Sequence, residues 1–573
     1  PPRTAYSNPV ALKNHQRALR HAFDIHLYPD EIAYITEEHR RSDVTLNSIL
    51  TDFYANDVDY HNIDTDNPHI VKGLNCMQKA FAPPRPCQPV HLIDVQHHYP
   101  YKWQVNTEAP FSTDHYFLKQ RPTFGEFINM HGLEHIDRED FERRHGTIYT
   151  EAFLNQKVPA KFGFQKALVF AWTRRWHHVI KSGFTDLAGL DQTDHYLKER
   201  YIFPMLLHTK TAIVKKDDQD KMRTIWGCSK PWIIADTILW WEYIAWIKLN
   251  PGITPMLWGF ETFTGGWMRL NHALTNRLLK SSIVTLDWSR FDKKAYFKLI
   301  LAIMLKTLTF LDFTKGYAPT KEYPTNPGWD TIKSQKMMNL WEWTLECMFK
   351  SPIVLPNGDM YTRNFAGIPS GVFITQLIDS WYNHTMITAL LSAIGIDPER
   401  CIIKVQGDDS IVRLGVLIPP GIHDLFLQRL AEIAEQLFKA TISSEKSEVR
   451  STLEGCEVLS YRNSRGLPYR DEIKMLAQFY HTKARDPTPD ITMAQAIGFA
   501  YASCGNHSRV LDVCENVYNY YANQGFTANR AGLTAIFGNS PDLIDFPFEL
   551  DHFPTCSEIK RFHVSMEYRN EET

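Results

Sequence analysis

Apolar positions along this 573-residue chain recur with two different periods, and the switches between them mark out its elements. A period near 3.6 predicts helices over Pro9–His26, Asp30–Tyr54, 160–200, Lys293 to about Phe310, Ile332–Met348, 372 to about 391 and His423–Phe438. Trp232–Ile247 is more apolar and reads as a buried amphipathic helix. Asp236 and Glu242 interrupt it, and it falls short of the ~18 apolar residues that a membrane span needs. From about 472 the pattern is helical to the end, with turns at Gly505 and Gly525, as in a separate α-rich unit. Short β-branched runs predict strands at Ile213-Val214, Ile225-Trp226 and Ser281–Leu286, and a hairpin arm over Cys456–Asn463 that turns at Ser464-Arg465-Gly466. The strongest strand signal is CIIKVQGDDSIVRL, Cys401–Leu414. It predicts a β-hairpin with Gly407-Asp408-Asp409 at the turn.

Composition narrows the class. A hydrophobic fraction of 44% with 13% aromatic residues fits a folded chain, and its length suggests roughly three or four subdomains. A net charge of −3 excludes a globally basic nucleic-acid binder, so any such partner needs a locally basic channel. Nine cysteines without a CxxC pair point to reduced thiols and no zinc site. The start, PPRTAYSNPV, has no apolar signal core and no initiator Met, so it reads as trimmed, and a soluble protein away from membranes is expected. Around 82–122 the chain is rich in Pro, His and aromatic residues, which suits an extended segment over a larger body. His97-His98 in that stretch is expected to be a surface pair.

Candidate chemistry is set by adjacent carboxylates. Asp408 and Asp409 on one tight turn repel each other unless a cation lies beside them, and Mg²⁺, a hard cation shared with substrate phosphates, is the usual answer. A solvated hairpin tip is the plain alternative. Asp287 ends the SSIVTL run, where a strand delivers a carboxylate, and Asp292 follows at the turn into a helix, where it could be only a cap. Lysines 210, 215, 216, 221 and 230 with Arg223 form a cationic cluster suited to polyphosphate. Gly367-Ile368-Pro369-Ser370-Gly371 opens a helix on which Thr375, Asp379 and Asn383 share one face.

In this order the segments resemble the viral RNA-dependent RNA polymerases. LDWSRFD looks like palm motif A, PSGVFITQLID like motif B and QGDDS like motif C, and the wording is most similar to the partitivirus type, with picobirnaviruses a near relative. The resemblance implies an α+β right hand: an N-terminal extension (1–120) bridging fingers and thumb, fingers at 121–280 and 311–366, palm at 281–310 and 367–466, and an α-rich thumb at 467–573. It implies RNA-directed RNA synthesis for a double-stranded RNA virus by two Mg²⁺ ions, which Mn²⁺ can replace. Two metals about 3.5 to 4 Å apart can hold the attacking and leaving oxygens. Asp287 and Asp408 bridge the metals in this reading, and Asp409 is an auxiliary ligand. Lys216, Lys221 and Arg223 lie near the triphosphate, Ser370, Gly371, Thr375, Asp379 and Asp292 near the nucleotide, and Lys446 is the general acid, with Lys439 close by.

One departure stands out. Many relatives carry Asn where this chain has Asp379, beside the Asp292 that senses the ribose 2′-OH. Either one of the two carboxylates holds a proton, or Ser370 or Thr375 donates between them. Implied partners are RNA template and product, rNTPs and the viral capsid protein, inside the virion or the host cytoplasm. A reverse transcriptase and a non-catalytic RNA-binding virion component are the rival readings.

Overall fold

The structure, a computed structural model, describes residues 6–100, 105–119, 160–183, 200–275, 280–325, 327–533 and 549–564. Expectations for 120–159, 184–199, 534–548 and 565–573 lie outside these residues. Helices and strands intermix, as an α+β chain requires.

The first helix, Pro9–His26, matches its predicted bounds: the Asn8 side chain accepts the Ala11 N–H and Pro9 occupies the first turn. The helix expected over Asp30–Tyr54 is broken instead into Pro29–Thr36, strand β1 (His39–Arg41) and Leu46–Asp52. β1 exists because the cationic segment reaches back to it. There β2 (Met205–Thr211), β3 (Ile213–Lys215) and β4 (Met222–Gly227) follow one another, and β1 pairs antiparallel with β3, His39 opposite Lys215. Pairing with a strand remote in sequence overrode the local helical period. Lys230–Leu249, expected to be amphipathic, is buried on nearly every side, and its Trp240 and Tyr243 rings lie 5.4 Å and 6.2 Å from Trp381.

The central sheet has the order β12-β5-β10-β9. β5 (Ile283–Thr285) lies inside it, and β6 (Trp288–Ser289) follows. The helix expected over Lys293–Phe310 is two pieces, Phe291–Lys294 and Phe297–Thr307, because Tyr296 leaves the helix to pair with Ala366. β7 (Ile353–Val354) and β8 (Met360–Tyr361) extend the β4-β2 sheet. β9 (Ile402–Gln406) and β10 (Asp409–Arg413) form the expected hairpin. His423–Phe438 is helical as expected, and β11 (Thr441–Ile442) and β12 (Glu448–Arg450) return the chain to β6 and β5. The Cys456–Asn463 arm is interrupted at Leu459 and Ser460, both at positive φ, giving β13 (Glu457–Val458), β14 (Tyr461–Ser464) and β15 (Leu467–Tyr469).

Among the described residues, two apolar cores are much larger than the others. One carries the central sheet and the helices packed on it, including Trp240, Leu299, Trp381 and Val405. The other joins Leu19 and Phe23 of the first helix to Leu476, Ile497 and Val513 of the C-terminal helices. The first helix is therefore part of the body built by the C-terminal helices.

Candidate active site

Strand register brings the acidic residues together. β5 and β10 pair antiparallel with Val284 opposite Val412, and continuing that register sets Asp287, just beyond β5, opposite Asp409. Asp287 is fixed through its backbone: its N–H donates to Ser447 Oγ (2.9 Å) and its carbonyl accepts the Ser443 N–H (2.8 Å). Its carboxylate is left to the site. Asp408 sits at the turn with Gly407, whose φ of +59 suits a residue without Cβ.

That turn is held from behind by the Thr375–Ala393 helix. Asn383 Nδ2 donates to the carbonyls of Gly407 (3.0 Å) and Asp409 (3.3 Å), and its Oδ1 accepts Trp288 Nε1–H (2.9 Å). Ser380 Oγ accepts the Gly407 N–H (2.9 Å). One buried asparagine thus ties the strand after Asp287 to the Asp-Asp turn. Sequence reasoning placed Asn383 on the right helical face but gave it no role, because its partners are backbone atoms remote in sequence.

The carboxylates feel one another strongly. Burial, then the Asp292 charge, pushes Asp408 up to about 6, against the pull of Arg223. Burial, then Asp408 and Asp287, pushes Asp409 up to about 7. Water reaches Asp408 at the turn, but protein surrounds the recess in which it lies. Oxygen donors whose repulsion no neighbouring cation cancels fit a hard divalent cation.

Beside the carboxylates, β4 and the serine loop pack together. Trp226 N–H donates to Ser370 Oγ (2.9 Å), and Gly371 N–H donates to the Trp226 carbonyl (3.1 Å). A Cβ on Gly371 would stand 2.4 Å from that carbonyl oxygen, so only glycine permits the approach. Thr375 Oγ1 donates to the Pro369 carbonyl (2.7 Å), closing the loop onto the helix. The Thr375 hydroxyl is thus engaged with backbone rather than with Asp379. Burial and the neighbouring Asp292 hold Asp379 well above the carboxylate range, and the two carboxyls share a hydrogen bond. That direction favours a proton held on Asp379, one of the alternatives left open by the sequence. Asp292 is not an N-terminal cap: it lies inside the short Phe291–Lys294 helix. Beside it Lys293, fully engaged, donates to the Thr224 carbonyl (2.9 Å) and stacks 4.3 Å from the Trp226 ring. Sequence reasoning passed over Lys293.

Of the cationic residues, Arg223 on β4 pulls both Asp408 and Asp409 down, a smaller effect than burial and than the strongest neighbouring carboxylate of each. Lys216 and Lys221 are exposed in the loop leading to β4, and Arg40 wraps that loop by donating to the Lys216 and Asp218 carbonyls (3.1 and 2.7 Å). Lys446 is exposed in the turn whose ends, Ser443 and Ser447, clasp Asp287. Lys439 is engaged elsewhere, with Glu435 (3.7 Å). His97 and His98 meet Glu322 at the surface (3.1 and 3.3 Å).

Three comparisons bear on this arrangement. A family model described as viral RNA-dependent RNA polymerase matches residues 193–518. The RNA-directed RNA polymerase of White clover cryptic virus 1 (isolate Boccardo/2004) is 61% identical over 571 residues, covering 100% of this chain and 92% of that protein. The RNA-directed RNA polymerase of Atkinsonella hypoxylon virus (isolate 2H) is 29% identical over 392 residues, 62% of this chain and 57% of that one. Among solved structures, a Sicinivirus 3Dpol RNA-dependent RNA polymerase superposes with a TM-score of 0.52 at 13% identity, over 83% of this chain and 86% of that one.

Proposed function

This chain belongs to the viral RNA-dependent RNA polymerases, and from that premise we propose how its residues divide the work of RNA-directed RNA synthesis. It is an RNA polymerase of the kind found in cryptic double-stranded RNA viruses; it binds RNA and nucleotides and works with divalent metal ions. The convergence of Asp287, Asp408 and Asp409 from β5 and the β9–β10 turn supports the reading most.

In this proposal the three carboxylates hold two Mg²⁺ ions, with Mn²⁺ as a substitute. When bound, such ions neutralise the triphosphate and make the primer hydroxyl a better nucleophile. Arg223 faces the triphosphate, and Lys216 and Lys221 line its approach. The Ser370-Gly371 loop and Thr375 shape the pocket floor. Asp292 accepts the ribose 2′-OH, and Asp379, carrying its proton, fixes the Asp292 carboxylate. Lys446 gives a proton to the departing pyrophosphate. We assign palm to 281–310 and 367–466, fingers to 121–280 and 311–366, and thumb to 467–573. The extension 1–120 contributes its first helix to the thumb core, as the shared packing of Phe23 and Leu476 supports. The partners are RNA template and product, rNTPs and the capsid protein of the virus, in the virion or the host cytoplasm. Among the described residues no helix is long and apolar enough to cross a membrane.

The metal assignment has a thermal test. Asp408 and Asp409 titrate near 3.8 when unfolded but near 6 and 7 in the folded chain without cation. Between those values the folded form holds more protons. Their contribution to stability is thus full below about 3.8 and lost as pH rises through 6 to 7. Melting temperature without divalent cation should fall from pH 5 to pH 8, and the gain on adding Mg²⁺ or Mn²⁺ should grow over the same interval. A cation gain equal at pH 5 and pH 8, or undiminished in Asp408→Asn, would contradict the assignment.

A further inference from the structure

Cations from β1, β2, β4 and the C-terminal body converge around Lys483. Lys210 and Arg223 are directly opposite each other on β2 and β4. Arg41, buried, joins the end of β2 to the C-terminal body: it donates to the Thr211 carbonyl (2.8 Å) and to the His481 carbonyl (2.6 Å). Two residues past that anchor is Lys483. Its backbone is fixed, since the Thr482 carbonyl accepts Tyr6 Oη–H (3.0 Å) and Thr482 Oγ1 accepts both Gln495 Nε2–H (2.7 Å) and the Ala484 N–H (3.1 Å). Lys483 is exposed as a residue, but burial of its ammonium and repulsion by Arg41, Lys210, Arg470 and Arg223 lower it to about 8.

Among the described residues the side chains of Lys210, Arg223 and Lys483 have no hydrogen-bond or ion-pair partner. Like charges held together without a counter-charge cost electrostatic energy, and a multiply charged anion removes that cost. Arg223 links the cluster to Asp408 and Asp409, so the anion would lie where a triphosphate reaches from the carboxylates.

We propose that Lys483 is a further phosphate-binding residue of this enzyme, which with Lys210 and Arg223 grips the terminal phosphates of the incoming nucleoside triphosphate and then the pyrophosphate released from it. The proposal rests on the polymerase reading above. It differs from a grip by the β2–β4 strands alone, because the added cation comes from the C-terminal body and binding would draw the two bodies together.

The test is kinetic, on the full chain with an annealed RNA primer and template. Lys483→Ala should raise the KM for rNTP about tenfold, the loss of one charged hydrogen bond, with kcat changed much less. Inhibition by inorganic pyrophosphate should weaken by a similar factor, Lys483→Arg should restore both, and melting should stay unchanged. The proposal is overturned if KM and pyrophosphate inhibition do not move. It is equally overturned if Lys483→Ala weakens RNA binding alone, or if it lowers the melting temperature with no rescue by arginine. Calorimetric titration with pyrophosphate decides the point separately from turnover: an inactive wild type would count against the polymerase reading, whereas pyrophosphate binding that depends on Lys483 would still support the anion site.

Discussion

Asp408→Ala abolishes nucleotide incorporation, by about a thousandfold or more, and leaves the melting temperature of the cation-free chain unchanged or raised. The loss follows from the proposed ligand set: Asp408 is the turn residue whose charge acts on Asp409 and is acted on by Asp287, and in that proposal cation-assisted phosphoryl transfer depends on all three. The stability follows from electrostatics, since removing one of several mutually repelling carboxylates relieves strain in the folded chain. The turn itself is held by Asn383 and Ser380 through backbone atoms, so the side chain can be cut without loosening it. Asp409→Ala should be less severe, as an auxiliary ligand. Primer extension with thermal melting checks both halves, and an Asp408→Ala protein that still extends a primer would sink the assignment.

Asp292→Ala should remove the preference for ribo- over deoxynucleotides, a change on the order of a hundredfold in the ratio of kcat/KM, since a site built to hydrogen-bond a hydroxyl rejects the analogue lacking it. Asp379→Asn should keep that preference. If Asp379 carries the proton, as its raised value favours, it is a neutral donor to Asp292, and an amide donates in the same direction. Asp379→Leu, which cannot donate, should lose discrimination toward the level of Asp292→Ala. Competition between rNTP and dNTP on one RNA template measures all three. If Asp379→Asn behaves like Asp379→Leu, the proton is not where the buried pair places it.

Much of the fold could be read from the sequence where an element is amphipathic and closed locally. The β9–β10 hairpin and the His423–Phe438 helix have a clear period and their own end signals, and they form where expected. Failures occurred where a remote strand decided the outcome. His39–Arg41 is extended because β3 is there to pair with it, and Tyr296 leaves its helix for Ala366; neither partner is visible from the local period. The Thr375–Ala393 helix shows a different limit. It is buried on nearly all sides, so the spacing of Thr375, Asp379 and Asn383 could not separate a solvated face from a functional one.

For the candidate site, residue types carried the signal for Asp287, Asp408 and Asp409, since adjacent carboxylates need a cation. They could not reveal the scaffolding of the recess. Ser443 and Ser447 act on the Asp287 backbone, Arg41 acts on two carbonyls, and Lys293 is spent on Thr224 and Trp226. Lys483 belongs to the α-rich segment, more than 250 residues from Arg223, and only folding makes them neighbours.

The arrangement of carboxylates can be seen with metal in place. Crystals of the full chain grown with Mn²⁺ and a non-hydrolysable rNTP, measured at the manganese edge, should give two anomalous peaks bounded by Asp287, Asp408 and Asp409, with the triphosphate directed toward Arg223. No peak at these carboxylates, with nucleotide bound, or manganese held by other residues, would contradict the reading of the β9–β10 turn as one half of a metal site completed by Asp287.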